Sequence, residues 1–184
     1  MKRILILLDE SGSMGESGKR EETISGFNKW LDEQQAIPED GTVVSLIKFN
    51  TAHANIYLDK AMKDVPKLTK ETYVPGGMTA LLDAVSSGCN SVSQADPTLV
   101  LILTDGEENS SRETTLAQVK ELIESRKAGG WEFHFIGQGP QTWVDAMQRA
   151  LGTQAAVVVQ NNAFGTKAAY AYTSNTSKTW RGSH

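Results

Sequence analysis

Cysteine is almost missing from this chain. Cys89 is the single one in 184 residues, so no internal disulfide can form and the small disulfide-stapled folds are excluded. Such usage points to a reducing compartment. Basic charge is not in excess either: 18 Lys and Arg stand against 22 Asp and Glu, a net charge of −4. No basic patch therefore invites nucleic acid or an anionic lipid surface. Long apolar runs are absent, and none approaches the roughly 20 residues of a membrane-spanning helix. Met1-Lys2-Arg3 followed by five apolar residues imitates the start of a secretory leader, yet the run stops at Asp9, short of the roughly 7–15 residues a leader needs. There is no internal repeat and no low-complexity tract. What remains, at 39% hydrophobic and 22% charged residues, suits a globular chain, most economically one domain over residues 1–180 and expected in the cytoplasm. Arg181-Gly182-Ser183-His184 reads as an appended remnant or a disordered tail.

The chain is organised around Ile4-Leu5-Ile6-Leu7-Leu8, five apolar residues bounded by polar turns, which read as a strand buried on both faces. A helix follows from about Arg20 to Gln35, with Ile24, Phe27 and Leu31 at helical spacing. Val43 to Phe49 reads as a strand and Ala54 to Leu58 as its alternating hairpin partner at an edge. Residues 59–75 suggest only a short helix and a loop. Leu82, Val85, Cys89 and Val92 form one apolar helical face, which makes Cys89 a buried, inert thiol. Leu99 to Leu103 is the second wholly apolar strand. A helix carrying Leu116, Val119 and Ile123 comes next, then a strand from Trp131 to Ile136. A helix through Trp143, Met147 and Leu151, a strand from Ala155 to Val159 and a helix from Phe164 to about Ser177 complete the chain. Strands alternating with helices predict an α/β fold, a Rossmann-like three-layer sandwich. Its central sheet is mostly parallel with one antiparallel edge strand, and helices cover both faces. Ligands of such sheets bind at the carboxyl ends of the strands.

Three polar stretches lie at those ends. Asp9-Glu10-Ser11-Gly12-Ser13 closes the first strand, Gly76-Gly77-Met78-Thr79 opens a helix, and Thr104-Asp105-Gly106 closes the second apolar strand. Alternate residues of an extended segment point the same way, so Asp9, Ser11 and Ser13 can converge while Glu10 turns away. Only oxygen donors gather there, which favours a hard divalent cation over zinc or copper. Each stretch also has a plainer reading as a capped turn, with Thr79 or a neighbour starting a helix and Asp105-Gly106 an ordinary turn.

Taken together, and in this order along the chain, the three stretches resemble the metal-ion-dependent adhesion site of von Willebrand factor type A domains. The stretch from Trp131-Glu132-Phe133 to Asn161-Asn162-Ala163-Phe164 resembles the small stand-alone bacterial and phage members. The resemblance implies that Ser11 and Ser13 offer hydroxyls to the ion and that Asp9 sits behind them holding water and loop. Thr79 would be the second-loop ligand and Asp105 the third-loop carboxylate. It further implies Mg²⁺, with Mn²⁺ or Ca²⁺ as substitutes, and a protein partner that supplies an Asp or Glu carboxylate. Binding without catalysis is expected, and nothing about oligomeric state follows.

Two rival readings stand beside it. Gly12-Ser13-Met14-Gly15-Glu16-Ser17-Gly18-Lys19-Arg20 resembles a phosphate-binding loop, which would make the protein a metal-dependent nucleotide or phosphate hydrolase. However, five residues separate Gly12 from Gly18 where four are needed, and Arg20 replaces the magnesium-binding hydroxyl. A phosphohydrolase with Asp9 as nucleophile would want an acid where Ser11 stands, and the serine-hydrolase elbow is missed around Ser13. The other rival is a scaffold that keeps the fold without a working metal site. Glu107 and Glu108 read as a solvated turn. His53 and His134 have no partner motif, and Trp30, Trp131 and Trp143 read as packing residues.

Overall fold

The computed structural model describes residues 1–106 and 108–184; Glu107, one of the two expected turn glutamates, lies outside them. Among the described residues, six strands form one sheet: β1 (Lys2–Asp9), β2 (Thr42–Phe49), β3 (His53–Ala61), β4 (Thr98–Thr104), β5 (Glu132–Gln138) and β6 (Ala155–Val159). Their order is β3-β2-β1-β4-β5-β6. All neighbours are parallel except β2 and β3. Among the described residues, five α-helices connect or flank them: α1 (Lys19–Gln35), α2 (Leu81–Asn90), α3 (Leu116–Ala128), α4 (Gln141–Leu151) and α5 (Ala163–Ser183). The α/β architecture expected from the alternation of elements is the one observed, including the antiparallel edge strand.

The apolar run of β1 needs no alternation because both its faces are covered. Ile4, Ile6 and Leu8 join a core layer with Phe27, Trp30 and Leu31 of α1 and with Ala169, Tyr170 and Trp180 of α5. Leu5 and Leu7 point the other way, into a layer with Leu81, Val85 and Cys89 of α2, Val119 and Ile123 of α3, and Val144 and Leu151 of α4. β4 divides its side chains between the same two layers. The period of two in a strand thus sorts one continuous hydrophobic run into two cores. Cys89 is fully buried, and burial pushes its thiol up to about 12, as an inert core cysteine requires.

Several local expectations need correction. The short helix expected within residues 59–75 is a single tight turn, Met62–Asp64, directly after β3. Another such turn, Gly12–Gly15, follows β1. Leu116 is 42% exposed, unlike Val119 and Ile123, because it is the first residue of α3 and sits beyond the packed part of that helix. His134 is held by the Tyr172 hydroxyl at 2.7 Å and faces Glu132 at 3.6 Å.

Arg181 is also not part of a tail. α5 continues through Ser183, and Arg181 is buried there, because its guanidinium meets Asp40 through two bonds of 2.8 and 3.0 Å and the Gln34 carbonyl at 2.7 Å. Burial raises the Asp40 carboxyl, but the bonds from Arg181 and Thr42 outweigh it and hold the group below the usual carboxylate range. A depressed carboxylate contributes stability above its unfolded value, near pH 4, and that contribution is lost as pH falls through the folded value. Arg181→Met should therefore lower stability by about 2–4 kcal/mol at neutral pH. It should also flatten the loss of stability below about pH 4. Urea unfolding of both proteins at neutral and acid pH reads the two effects.

Candidate metal centre

Strand order runs outward from β1 to β2 and β3 on one side and from β4 to β5 and β6 on the other. The switch point lies between β1 and β4, and their carboxyl ends carry Asp9 and Asp105. Crossover connections leaving adjacent strands toward opposite faces open a crevice at such a point.

Three loops close over that crevice through main-chain bonds. Gly12 N donates to the Gly77 carbonyl at 3.0 Å, and Gly76 N donates to the Glu10 carbonyl at 2.9 Å. The third loop joins through Asn109, whose N–H donates to the Thr79 carbonyl at 3.1 Å and whose Oδ1 accepts from Thr79 N at 2.9 Å. Beneath them the Tyr73 hydroxyl donates to the Asp9 carbonyl at 2.7 Å. Glu10, excluded on the alternation of side chains, indeed turns away. Its carboxylate binds Lys48 at 2.6 Å and Val74 N at 3.0 Å, tying the first loop to β2 and the second loop.

The five sequence-derived residues come together. Asp9 is fully buried; one of its oxygens accepts from Ser11 N and the other from the Thr104 hydroxyl, both at 2.7 Å. The Ser11 and Ser13 hydroxyls stand 3.3 Å apart. Ser13 donates to Asp105 Oδ1 at 2.8 Å. Thr79 is buried beside Gly106, where an added Cβ would sit 2.9 Å from Thr79 Oγ1 and 3.7 Å from Asp9 Oδ2. Gly106 therefore leaves open the space between the second-loop hydroxyl and the β1 carboxylate. Thr79 does not cap α2; Ala80 occupies that position with no side-chain cap. Glu108 supplies the missing acceptor, taking Leu82 N at 3.0 Å as well as the amides of Ser110 and Ser111. The expected solvated turn is in this respect a capping carboxylate, and α2 starts on it.

Two carboxylates and three hydroxyls make an oxygen-only cradle, and among the described residues no group of three or more His, Cys, Asp or Glu side chains is placed to hold a metal ion. That donor set, together with the space kept by Gly106, fits a hard divalent ion such as Mg²⁺ and suits softer metals poorly. Burial is the main force on the Asp9 carboxyl. Opposed by the bonds from Ser11 and Thr104 and reinforced by the nearby Asp105 charge, it pushes the group up to about 6.

Sequence reasoning missed two side chains that complete the centre. Thr104 reaches Asp9 from the last position of β4. Lys19, at the start of α1, is 2% exposed and donates to Asp105 Oδ2 and, at 2.7 Å, to Asn161 Oδ1. A signal for Lys19 existed: a cation in the first turn of a helix opposes the helix dipole, so its presence there calls for an anionic partner.

In metal-free buffer the unfolded chain loses the Asp9 proton near the ordinary value of 3.8 and the folded chain near 6. Asp9 then contributes stability that is present below about pH 4 and lost as pH rises through about 6. Asp9→Asn should gain on the unaltered chain by roughly 3 kcal/mol between about pH 4 and pH 7.5, measured by urea unfolding in EDTA.

A family model described as von Willebrand factor type A domain matches residues 4–172. A search of curated proteins finds no match. Among solved structures, the vWF domain of the type V pili tip protein Mfa5 from Porphyromonas gingivalis superposes with a TM-score of 0.71 at 9% identity, over 96% of this chain and 95% of that one. The conserved hypothetical protein BatB from Bacteroides thetaiotaomicron gives 0.62 at 16% identity, over 97% of this chain and 100% of that one. Proximal thread matrix protein 1 from the mussel byssus gives 0.68 at 13% identity over 96% of this chain. The match covers 45% of that protein, so this chain spans less than half its length. These likenesses are likenesses of fold.

Proposed function

The chain belongs to the von Willebrand factor type A domain family, and on that premise we propose that it is a protein-interaction module that recognises its partner through a divalent ion. The observation that carries this reading is the gathering of Asp9, Ser11, Ser13, Thr79 and Asp105, all oxygen donors, from three loops at one sheet edge. Ser11, Ser13 and Thr79 would offer hydroxyls to Mg²⁺, with Mn²⁺ or Ca²⁺ as substitutes. Asp9 and Asp105 would balance its charge and hold the loops. When bound, the ion supplies positive charge with an open position that suits an Asp or Glu carboxylate of a partner protein. At an effective dielectric of about 20, one such contact at about 4 Å is worth roughly 4 kcal/mol, enough for a single acidic side chain to decide recognition. Neither nucleic acid nor a membrane is part of the proposal. Among the described residues no helix is long and apolar enough to cross a membrane. A cytoplasmic location belongs to the same proposal and rests on the cysteine usage.

Names among the structural neighbours agree with an interaction role, since they include a pilus adhesin and a byssal thread matrix protein. The hydrolase alternative has less support. In a phosphate-binding loop the lysine must reach the ligand, whereas the Lys19 ammonium is buried and engaged by Asp105 and Asn161. A non-catalytic role is the reading we adopt.

Thermal unfolding in Mg²⁺ and in EDTA tests the proposal. An ion at 100 times its dissociation constant should add about 2.7 kcal/mol and raise Tm by several degrees. Ser11→Ala should shrink that rise and Asp9→Ala should abolish it. A natural chain that melts at the same temperature in both buffers would sink the metal reading. Capture of a partner that survives EDTA would instead sink the ion's part in recognition.

A further inference from the structure

Lys19 is a lysine whose burial has to be explained. Its ammonium is taken out of water at the first turn of α1, where the helix dipole disfavours a cation. Among the described residues its ion-pair partner is Asp105. A buried charge persists only when paired and hydrogen-bonded, and Asp105 Oδ2 together with Asn161 Oδ1 meets that need. The other oxygen of the same carboxylate, Oδ1, accepts from Ser13 inside the oxygen cradle. Asp105 therefore faces two ways, with one oxygen toward the hydroxyl cluster and the other toward a fixed cation.

We propose that Lys19 is a built-in cation of this centre, sharing Asp105 with the divalent ion and weakening its hold. The inference rests on the metal reading above and specifies how that site is tuned. With Lys19 in place, two carboxylates and one ammonium leave the cradle a formal charge of −1; without it the charge is −2. Removing the ammonium removes repulsion of an incoming cation and leaves Asp105 in need of a counter-charge. Both effects act in the same direction, toward tighter binding. Lys19 also holds the cradle together, since it ties the third loop to the segment ahead of α5 through Asp105 and Asn161. A domain built this way keeps its loops assembled at low metal and fills only when the ion is abundant.

Mn²⁺ titration followed by electron paramagnetic resonance, on the full chain at fixed pH and ionic strength, tests this directly. Lys19→Gln, which keeps a donor and drops the charge, should bind Mn²⁺ at least about tenfold more tightly than the unaltered chain. Lys19→Arg should stay within about threefold, and Ser13→Ala should bind more weakly. A folded Lys19→Gln with equal or weaker affinity, beside an unaltered chain that binds, would overturn the role of Lys19 and leave the metal reading intact. Absence of binding in every protein would overturn both. A second measurement needs no folded Lys19→Gln: Mg²⁺ titration of the unaltered chain followed by side-chain lysine NMR, with the Lys19 signal assigned by its loss in Lys19→Arg. The Lys19 ammonium resonance should move in step with the Ser11 and Ser13 amides. An ammonium signal that stays still while those amides saturate would refute shared use of Asp105.

Discussion

A carboxylate with no exposure to solvent stands at the end of the central strand, and the site is built around its satisfaction. Asp9 closes β1, buried with its neighbours on both faces of the sheet. An anion so placed must be hydrogen-bonded or protonated. Ser11 N comes from its own loop and the Thr104 hydroxyl from the end of β4. The Thr104 bond joins the strands on either side of the switch point, and the Ser11 bond folds the first loop back onto Asp9. The main-chain bonds of Gly12 to Gly77, Gly76 to Glu10 and Asn109 to Thr79 then bring the second and third loops to the same place. Assembly of three loops around one buried anion is what makes an oxygen-lined cradle, since almost every group that reaches Asp9 does so with a hydroxyl or an amide.

Around that centre the polar network extends outward through glutamates that do not face it. Glu10 anchors the first loop to Lys48 and to Val74 N. Glu108 caps α2 and so fixes where the second loop, which carries Thr79, meets that helix. Asp83 on α2 returns the favour to the third loop, accepting from Arg112, Glu113 and Thr114 amides at 2.9 to 3.1 Å. Carboxylates near the site thus divide into those that line the cradle and those that hold its walls. The distinction follows from where the carboxylates are engaged: Glu10 binds Lys48 and Val74 N, Glu108 the start of α2, and Asp83 three amides of the third loop. A carboxylate saturated with amides has little left for an ion, whereas Asp105, with one hydroxyl and one ammonium, keeps lone pairs directed at the cradle.

Much of the fold was legible because its signals are local. The runs Ile4 to Leu8 and Leu99 to Leu103 announce strands covered on both faces, and the two core layers account for why neither run alternates. The site residues Asp9, Ser11 and Ser13 were legible for a similar reason, their period of two at a strand end. Thr79 and Asp105 needed the combination of three loops in order, carried by likeness to a family and not by spacing. Leu116 and Arg181 went astray because exposure at a helix start and burial near a chain end depend on neighbours distant in sequence.

By itself, the order of residues determined the alternation of strands and helices, the two buried strands and the oxygen character of the groups at their ends, because periodicity and side-chain chemistry act over a few residues. Only the folded arrangement decided that Thr104 would serve Asp9, that Glu108 would cap α2, and that a lysine 86 positions before Asp105 would pair with it. Those partners are chosen by strand order and by the crossing of loops, which bring together groups that no local pattern relates.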